Sequence, residues 1–148
     1  MASIQIPDRT SYRFFYSLTT RWADNDVYGH INNVIYYSYF DSVANRYLIE
    51  EGGLNIGTGE VVGYVVSSGC EYYSPITYPE EIEAGLRVDK LGNSSVKYGI
   101  AIFRKGESSA VAHGYFVHVF VDKHEQKAVP IPDDLRLALD KIKLKDSF

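Results

Sequence analysis

The chain is 148 residues long, with 45% hydrophobic and 23% charged residues, which is typical of a single globular domain with a sizeable core. The net charge of −4, without a basic block, argues against a nucleic-acid backbone as partner. A single cysteine excludes an internal disulfide and any CxxC motif. No apolar run approaches the roughly 18–20 residues that cross a bilayer. Because the first residues also lack the features of a signal peptide, we expect a cytoplasmic protein without a membrane partner.

The hydrophobic pattern predicts an α+β domain that spans residues 1–148 without a repeat or an internal break. Residues 1–9 are polar and contain a proline, and we expect them to form a loose arm. The predicted elements are, in chain order, a strand over residues 12–22, a loop over 23–33, a long helix over 34–51, four strands over 61–73, 81–91, 94–103 and 108–121, and a short helix from Asp133 to near Lys143. We expect the last four strands to form an antiparallel meander.

The long helix is the most strongly patterned element. Apolar side chains recur at helical spacing on one face, at Tyr36, Phe40, Val43, Ala44, Tyr47 and Leu48. Asn32 or Asn33 is the expected N-cap, because a short side-chain carbonyl can accept a hydrogen bond from the unpaired amides of the first turn. Gly52 and Gly53 are expected to end the helix, since glycine adopts the left-handed conformation without steric cost.

Two further patterns predict how the strands are covered. The strand over residues 81–91 alternates apolar and charged side chains, which predicts one half-exposed face. It is followed by Gly92-Asn93, a pair typical of a glycine-first hairpin turn. The 13 tyrosines and 7 phenylalanines predict large contact surfaces. We therefore expect a homodimer or homotetramer, with residues 61–73 as the main subunit contact and the active site between subunits.

Polar side chains concentrate between Asp24 and Asn33, immediately before the predicted long helix. The N-terminus of a helix presents unpaired amides and partial positive charge, so it can polarise a carbonyl group. A carboxylate on the preceding loop can act on that carbonyl as a base or as a nucleophile. Gly29 suits a place where backbone approaches a substrate closely. The residues alone also fit a structural role, in which Asp24, Asn32 and Asn33 cap the helix and shape the loop.

Three segments carry a family resemblance. Residues 21–36 contain the pattern D-x-D-x-x-G-H-x-N-N-x-x-Y, residues 70–76 contain Tyr-Tyr-Ser-Pro, and residues 118–122 lead to the sequence Val-Pro-Ile-Pro at 129–132. With these motifs, nearly the whole chain resembles the hotdog-fold acyl-CoA thioesterases of the 4-hydroxybenzoyl-CoA thioesterase superfamily. The resemblance implies a five-stranded antiparallel sheet wrapped around one long central helix. It also implies hydrolysis of an acyl- or aryl-CoA thioester to the free acid and coenzyme A, with no other cofactor and no metal.

The resemblance also assigns roles within the polar segment. Asp26 matches the family's catalytic carboxylate, acting as general base or nucleophile, and the backbone amide of Asn33 matches the oxyanion donor. Asp24 matches the first aspartate of the pair, which we expect to be structural. His30 is a candidate proton donor to the leaving thiolate, or a residue that orders the loop. The candidate substrate-binding residues are Gly29, Asn32 and Tyr36.

Other reactive side chains have simpler interpretations. Cys70 lies within a predicted strand without a basic partner nearby in sequence, which favours an inert core thiol. His113 and His118 lie on the last strand and are expected to be buried or to contact a second subunit, and the histidines lack the spacing of a metal site. Two other functions stay open: a non-catalytic acyl or small-ligand binder on the same scaffold, and a hydroxyacyl-thioester dehydratase, which would need a histidine and a carboxylate facing each other across a dimer.

Overall fold

The structure is a computed structural model that describes residues 5–144. Within this range the chain forms five strands and two α-helices, with short 3₁₀ turns at Arg9–Ser11 and Trp22–Asp24. The strands and helices are β1 (Phe14–Thr19), α1 (Ile35–Glu50), β2 (Val61–Tyr72), β3 (Glu81–Leu91), β4 (Ser95–Arg104), β5 (Ala112–Asp122) and α2 (Asp133–Lys141). All of them were predicted from the sequence, with ends that differ by a few residues.

The five strands form one antiparallel sheet in the order β1-β3-β4-β5-β2. The predicted four-stranded meander is therefore wrong for β2, which does not pair with β3 and instead lies at the sheet edge beside β5. The connection from β2 to β3 explains the difference. It spans residues 73–80 and contains Pro75 and Pro79, so the chain crosses to the opposite side of the sheet instead of turning back in a tight hairpin.

Helix α1 packs on one face of this sheet against β3, β4 and β5. Its buried residues include all six of the predicted apolar face, together with Tyr39. Facing them are β-branched and other aliphatic side chains of the central strands, such as Ile82, Leu86, Ile100 and Ile102. The five-stranded sheet around one long helix, completed by short α2, is the hotdog fold that the resemblance implies.

The ends of α1 differ in how well they were predicted. The expected cap at Asn32 or Asn33 is wrong: Val34 holds the cap position, and no side chain caps it. The Oδ1 atom of Asn32 accepts a hydrogen bond from the N–H of Val34 at 3.2 Å, so Asn32, two residues before the cap position, caps the turn that leads into α1. At the other end Gly53 adopts φ +70°, so the predicted glycine stop is confirmed.

The other face of the sheet is partly covered by the N-terminal segment. The carbonyl of Pro7 accepts a hydrogen bond from the N–H of Ala110, and the Arg9 guanidinium contacts Glu83 at 2.9 Å. A loose arm is therefore wrong for residues 7–9, because these bonds fix them to the sheet; residues 1–4 lie outside the described residues. The same contacts leave Glu83 only 22% exposed, so the outer face of β3 is more covered than its charge pattern predicts.

Two remaining features concern the strand connections and edges. Gly92 does not have a positive φ, so the glycine-first turn is wrong, although β3 and β4 do form a hairpin. Edge strand β2 carries exposed Tyr64, Val65 and Val66 and a bulge between Val65 and Ser67. Within residues 5–144, neither helix has the length and apolar character needed to cross a membrane.

Candidate active site

A cavity of about 340 Å³ lies at the N-terminal end of α1. One wall comes from the loop before the helix and from its first turn, and the other comes from the end of β2 and the residues that follow it. The lining residues are Asp26, His30, Ile31, Asn33, Tyr36, Tyr72, Tyr73, Ser74 and Pro75. The structure therefore brings four predicted site residues, Asp26, His30, Asn33 and Tyr36, to one cavity.

The two aspartates of the D-x-D pattern lie in different environments. Asp24 is buried, with 1% of its surface exposed, and accepts hydrogen bonds from the N–H and Nε of Arg21 and from the hydroxyl of Tyr39 at 2.9–3.0 Å. Burial alone would raise the pKa of Asp24, but these hydrogen bonds outweigh it and hold the pKa below its usual range. With all of its close partners inside the protein, Asp24 holds the loop in place.

Asp26, in contrast, is half-buried and lines the cavity. Its Oδ1 atom accepts a hydrogen bond from the N–H of Tyr28 at 2.9 Å and a longer one from the N–H of His30 at 3.4 Å. Its own N–H donates to the carbonyl of His30 at 2.8 Å. Within residues 5–144 the Oδ2 atom has no donor, so one carboxylate oxygen is free to interact with a molecule in the cavity.

The backbone N–H of Asn33 is a further polar group at this end of the helix. The preceding carbonyl, that of Asn32, accepts a hydrogen bond from the N–H of Ile35 at 2.9 Å, which turns the Asn33 N–H away from the helix. Among the described residues this N–H has no acceptor. An unpaired amide at a helix N-terminus is suited to bind an anion or a polarised carbonyl oxygen.

Two of the predicted binding residues are not on the cavity wall. Gly29 adopts φ +85°, and the space where a Cβ would lie is open, so its backbone conformation rather than a close approach requires glycine. Asn32 uses its side chain to accept a hydrogen bond from Val34. His30 does line the cavity, and it orders the loop through its backbone bonds to Asp26.

A second set of contacts fixes residues 25–34, which we call the Asp26 loop, to the connection between β2 and β3. The hydroxyl of Thr77 donates to the carbonyl of Gly29 at 2.7 Å and accepts from the side-chain amide of Asn25 at 3.3 Å. The N–H of Ile31 donates to the carbonyl of Ile76 at 2.8 Å. At the rim of this contact, the rings of Trp22 and Tyr78 meet edge to face with their centroids 6.0 Å apart.

The wall that comes from the end of β2 is aromatic, and it packs against Tyr36 of the first turn of α1, which is the aromatic residue of the cavity that the sequence predicted. Burial raises the pKa of Tyr36 to about 12, so its phenol stays protonated at neutral pH. The ring of Tyr72 packs edge to face on that of Tyr36 at 5.0 Å. Tyr72 and Tyr73 belong to the Tyr-Tyr-Ser-Pro motif, which is the signal in the sequence that could have identified this wall.

Three reactive side chains lie away from the cavity lining. Cys70 is half-buried, and burial raises the pKa of its thiol to about 11, in agreement with an inert thiol. His118 is buried beside Tyr98, with its Nδ1 atom 3.1 Å from the phenol oxygen. His113 is half-buried on the other face of the sheet and hydrogen-bonds Tyr12.

The fold and this polar site define a thioesterase-like class of protein. Residues 20–139 match the model of the thioesterase-like superfamily, and the chain belongs to that family.

Individual proteins share this similarity to different degrees. The chain is 51% identical to the PA5185 protein of Pseudomonas aeruginosa strain PAO1, whose crystal structure superposes with a TM-score of 0.95 over 97% of this chain and 100% of that chain. It is 27% identical to the YsmA protein of Bacillus subtilis strain 168, over 85% of this chain and 84% of that protein. A 1,4-dihydroxy-2-naphthoyl-CoA thioesterase from Synechocystis is 17% identical with a TM-score of 0.77, over 86% of this chain and 95% of that one, and it shares the fold.

Proposed function

We propose that this protein is an acyl-CoA thioesterase that hydrolyses an acyl- or aryl-CoA thioester to the free acid and coenzyme A. One observation carries the proposal. The free oxygen of Asp26 and the unpaired N–H of Asn33 belong to residues that line the same cavity, at the N-terminal end of a helix. A carboxylate and an oxyanion donor together are the minimal equipment for acyl transfer to water. Membership of the thioesterase-like superfamily supports the same reaction.

In the proposed reaction the thioester carbonyl oxygen accepts a hydrogen bond from the Asn33 N–H. The N-terminus of α1 then stabilises the negative charge that develops on this oxygen. Asp26 acts on the carbonyl carbon in one of two ways: it removes a proton from an attacking water, or it attacks directly and forms a mixed anhydride that water later cleaves. In both routes the carbon–sulfur bond breaks and coenzyme A leaves as a thiolate, which takes up a proton. We assign the donation of that proton to His30, which lines the same cavity, and in the water route the proton held by Asp26 then restores His30.

A panel of acyl- and aryl-CoAs with a thiol-detecting reagent tests the proposed activity. The panel includes aryl-CoAs because a protein of this fold is a 1,4-dihydroxy-2-naphthoyl-CoA thioesterase. We expect thiol release with at least one substrate. If every thioester of the panel stays intact while one of them binds, the protein is an acyl-CoA binder and not a hydrolase.

The Asp26→Asn variant tests the catalytic carboxylate. Asparagine is nearly isosteric but is neither a base nor a carboxylate nucleophile, so we expect kcat to fall by about 10²–10⁴ with binding of coenzyme A retained. Single-turnover reactions quenched with acid and examined by mass spectrometry distinguish the two routes, since only direct attack adds the acyl mass to the protein. An Asp26→Asn variant that keeps most of its kcat contradicts the assignment of Asp26.

We also propose that two or more copies assemble through β2. Among residues 5–144 this strand is an edge of the sheet with one row of unpaired backbone groups, and it carries the exposed side chains of Val65 and Val66 at its bulge. Such an edge is a template for pairing with another strand unless it is covered. Because Tyr72 at the end of β2 lines the cavity, this assembly puts the candidate active site next to the subunit contact.

A further inference from the structure

A hydrogen bond from β2 reaches the backbone just before α1. The hydroxyl of Tyr72 donates to the carbonyl of Asn33 at 2.8 Å. In a regular helix that carbonyl would accept from the N–H four residues later, that of Tyr37. Here the Tyr37 N–H donates to Val34 at 3.2 Å instead. The phenol of Tyr72 is therefore the hydrogen-bond donor of the Asn33 carbonyl among the described residues.

We propose that Tyr72 is a positioning residue that holds the Asn33 amide in the direction needed for oxyanion binding; this inference rests on the proposed function. Asn33 is flanked by two peptide planes. The plane before it is held by the bond from the Ile35 N–H to the Asn32 carbonyl, and the plane after it by the bond from Tyr72. The Val34 N–H at the other end of the second plane donates to the Asn32 side chain. Both dihedral angles of Asn33 are thereby fixed, and with them the direction of its N–H.

Tyr72 can do this because its own position is fixed twice. Its backbone pairs with that of Ala112 in the ladder between β2 and β5. Its ring lies at 89° to the ring of Tyr36, with 5.0 Å between the centroids. Burial and the neighbouring side chain of Cys70 raise the pKa of Tyr72, so the phenol keeps the proton that it donates. The donor is thus rigid and protonated at neutral pH.

The test is Tyr72→Phe, with Tyr64→Phe as a matched control. Both tyrosines lie on β2 and are similarly exposed, at 44% and 43%, but the Tyr64 hydroxyl contacts only Gln126 among the described residues, outside the cavity. Removal of an oxyanion donor typically lowers kcat by a factor of about 10²–10³. Tyr72→Phe only loosens the donor, so we expect kcat to fall by about tenfold. KM should stay within about twofold of the wild-type value, because the lost interaction acts on the transition state. Tyr64→Phe should keep the wild-type kcat and KM.

The amide resonance of Val34 in the NMR spectrum gives a readout that does not depend on activity. Hydrogen bonding to the Asn33 carbonyl polarises the peptide unit that carries the Val34 N–H. This proton should move upfield in Tyr72→Phe and stay unchanged in Tyr64→Phe. If Tyr72→Phe keeps the wild-type kcat, or if both variants lose it equally, the positioning role is refuted. That result is distinct from an active Asp26→Asn variant, which would refute the proposed function instead.

Discussion

The buried carboxylate of Asp24 shows how two residues of one motif take different roles. Neighbouring side chains in an extended segment point in opposite directions, and those two positions apart lie on the same side only if the backbone stays extended. Here a 3₁₀ turn over Trp22–Asp24 ends between the two aspartates. It buries Asp24 against Tyr39 while Asp26 lines the cavity. Asp24 therefore acts on stability, and Asp26 is left free to interact with a molecule in the cavity.

The Asp24→Asn variant should be less stable than the wild type. The new amide group would place hydrogens against a donor of Arg21 or Tyr39, so one buried donor loses its acceptor. A loss of this kind costs about 1–3 kcal/mol in the free energy of unfolding. Urea denaturation at pH 7 measures it, with exposed Asp140→Asn as the control. Equal unfolding midpoints for the wild type and Asp24→Asn would show that the hydrogen bonds of Asp24 contribute nothing to stability.

His118 should make the protein sensitive to mild acid. Burial lowers its pKa to about 4, a shift that the charge of Asp41 only partly opposes, whereas an unfolded histidine titrates near 6.5. Between these values the unfolded chain binds a proton that the folded chain does not. The free energy of unfolding therefore has its full value above about pH 6.5 and decreases as the pH falls towards 4. The total loss is on the order of 3 kcal/mol.

Chemical denaturation at several pH values measures this decrease, and His118→Gln should flatten it. The same substitution at His113 is the comparison: burial also lowers the pKa of that histidine, but His113 is only half-buried, so His113→Gln should flatten the decrease less than His118→Gln does. If the free energy of unfolding decreases equally for the wild type and His118→Gln between pH 6.5 and 4, His118 is not the source of the acid sensitivity.

At the scale of elements, the contact between the Asp26 loop and the β2–β3 connection depends on Thr77. The Thr77→Val variant keeps the shape of the side chain and removes two hydrogen bonds, to Gly29 and from Asn25. We expect local opening to become easier by about 1 kcal/mol, which makes amide exchange in residues 25–31 about fivefold faster. Hydrogen exchange followed by mass spectrometry measures this rate. Thr58→Val is the control, since Thr58 is exposed and does not line the cavity. If Thr58→Val accelerates exchange in residues 25–31 as much as Thr77→Val does, Thr77 has no specific role in this contact.

The elements themselves could be predicted because their signals are local. The apolar face of α1 repeats every three to four residues, and the glycines after it stop the helix wherever it packs. The position of β2 could not be predicted in this way. It depends on a long ladder with β5, and nothing in the local pattern of β2 distinguishes β5 from β3 as its partner.

In the candidate site, too, residues close together in sequence could be predicted, and residues that only the fold brings together could not. Asp26, His30, Asn33 and Tyr36 lie within one short segment, so one motif identifies all four. Tyr72 and Thr77 contact that segment across the fold; the bond from Tyr72 to Asn33 joins residues 39 positions apart. Gly29 and Asn32 belong to the same segment but do not line the cavity: Gly29 has a positive φ, and the Asn32 side chain accepts a local hydrogen bond from Val34.

At the scale of the whole molecule, assembly through β2 should be sensitive to one charge on that edge. Val66 is 61% exposed at the β2 bulge, and Val66→Glu would place a carboxylate in the contact. Light scattering after size exclusion should give a multiple of 16.7 kDa for the wild type and 16.7 kDa for the variant. Leu137→Glu, on α2 and 64% exposed, should not change the mass. A wild-type mass of 16.7 kDa at micromolar concentration would contradict the assembly.

The edge-to-face pair of Trp22 and Tyr78 has a consequence for spectroscopy. Trp22 is the only tryptophan in the chain, and 75% of its surface is exposed. Its fluorescence in the folded protein should therefore already be close to that of an indole in water, and unfolding should shift the emission maximum very little. Circular dichroism is the better signal for unfolding. Excitation at the red edge of the absorption band selects this indole, so its emission reports instead on the rim where the Asp26 loop meets the β2–β3 connection.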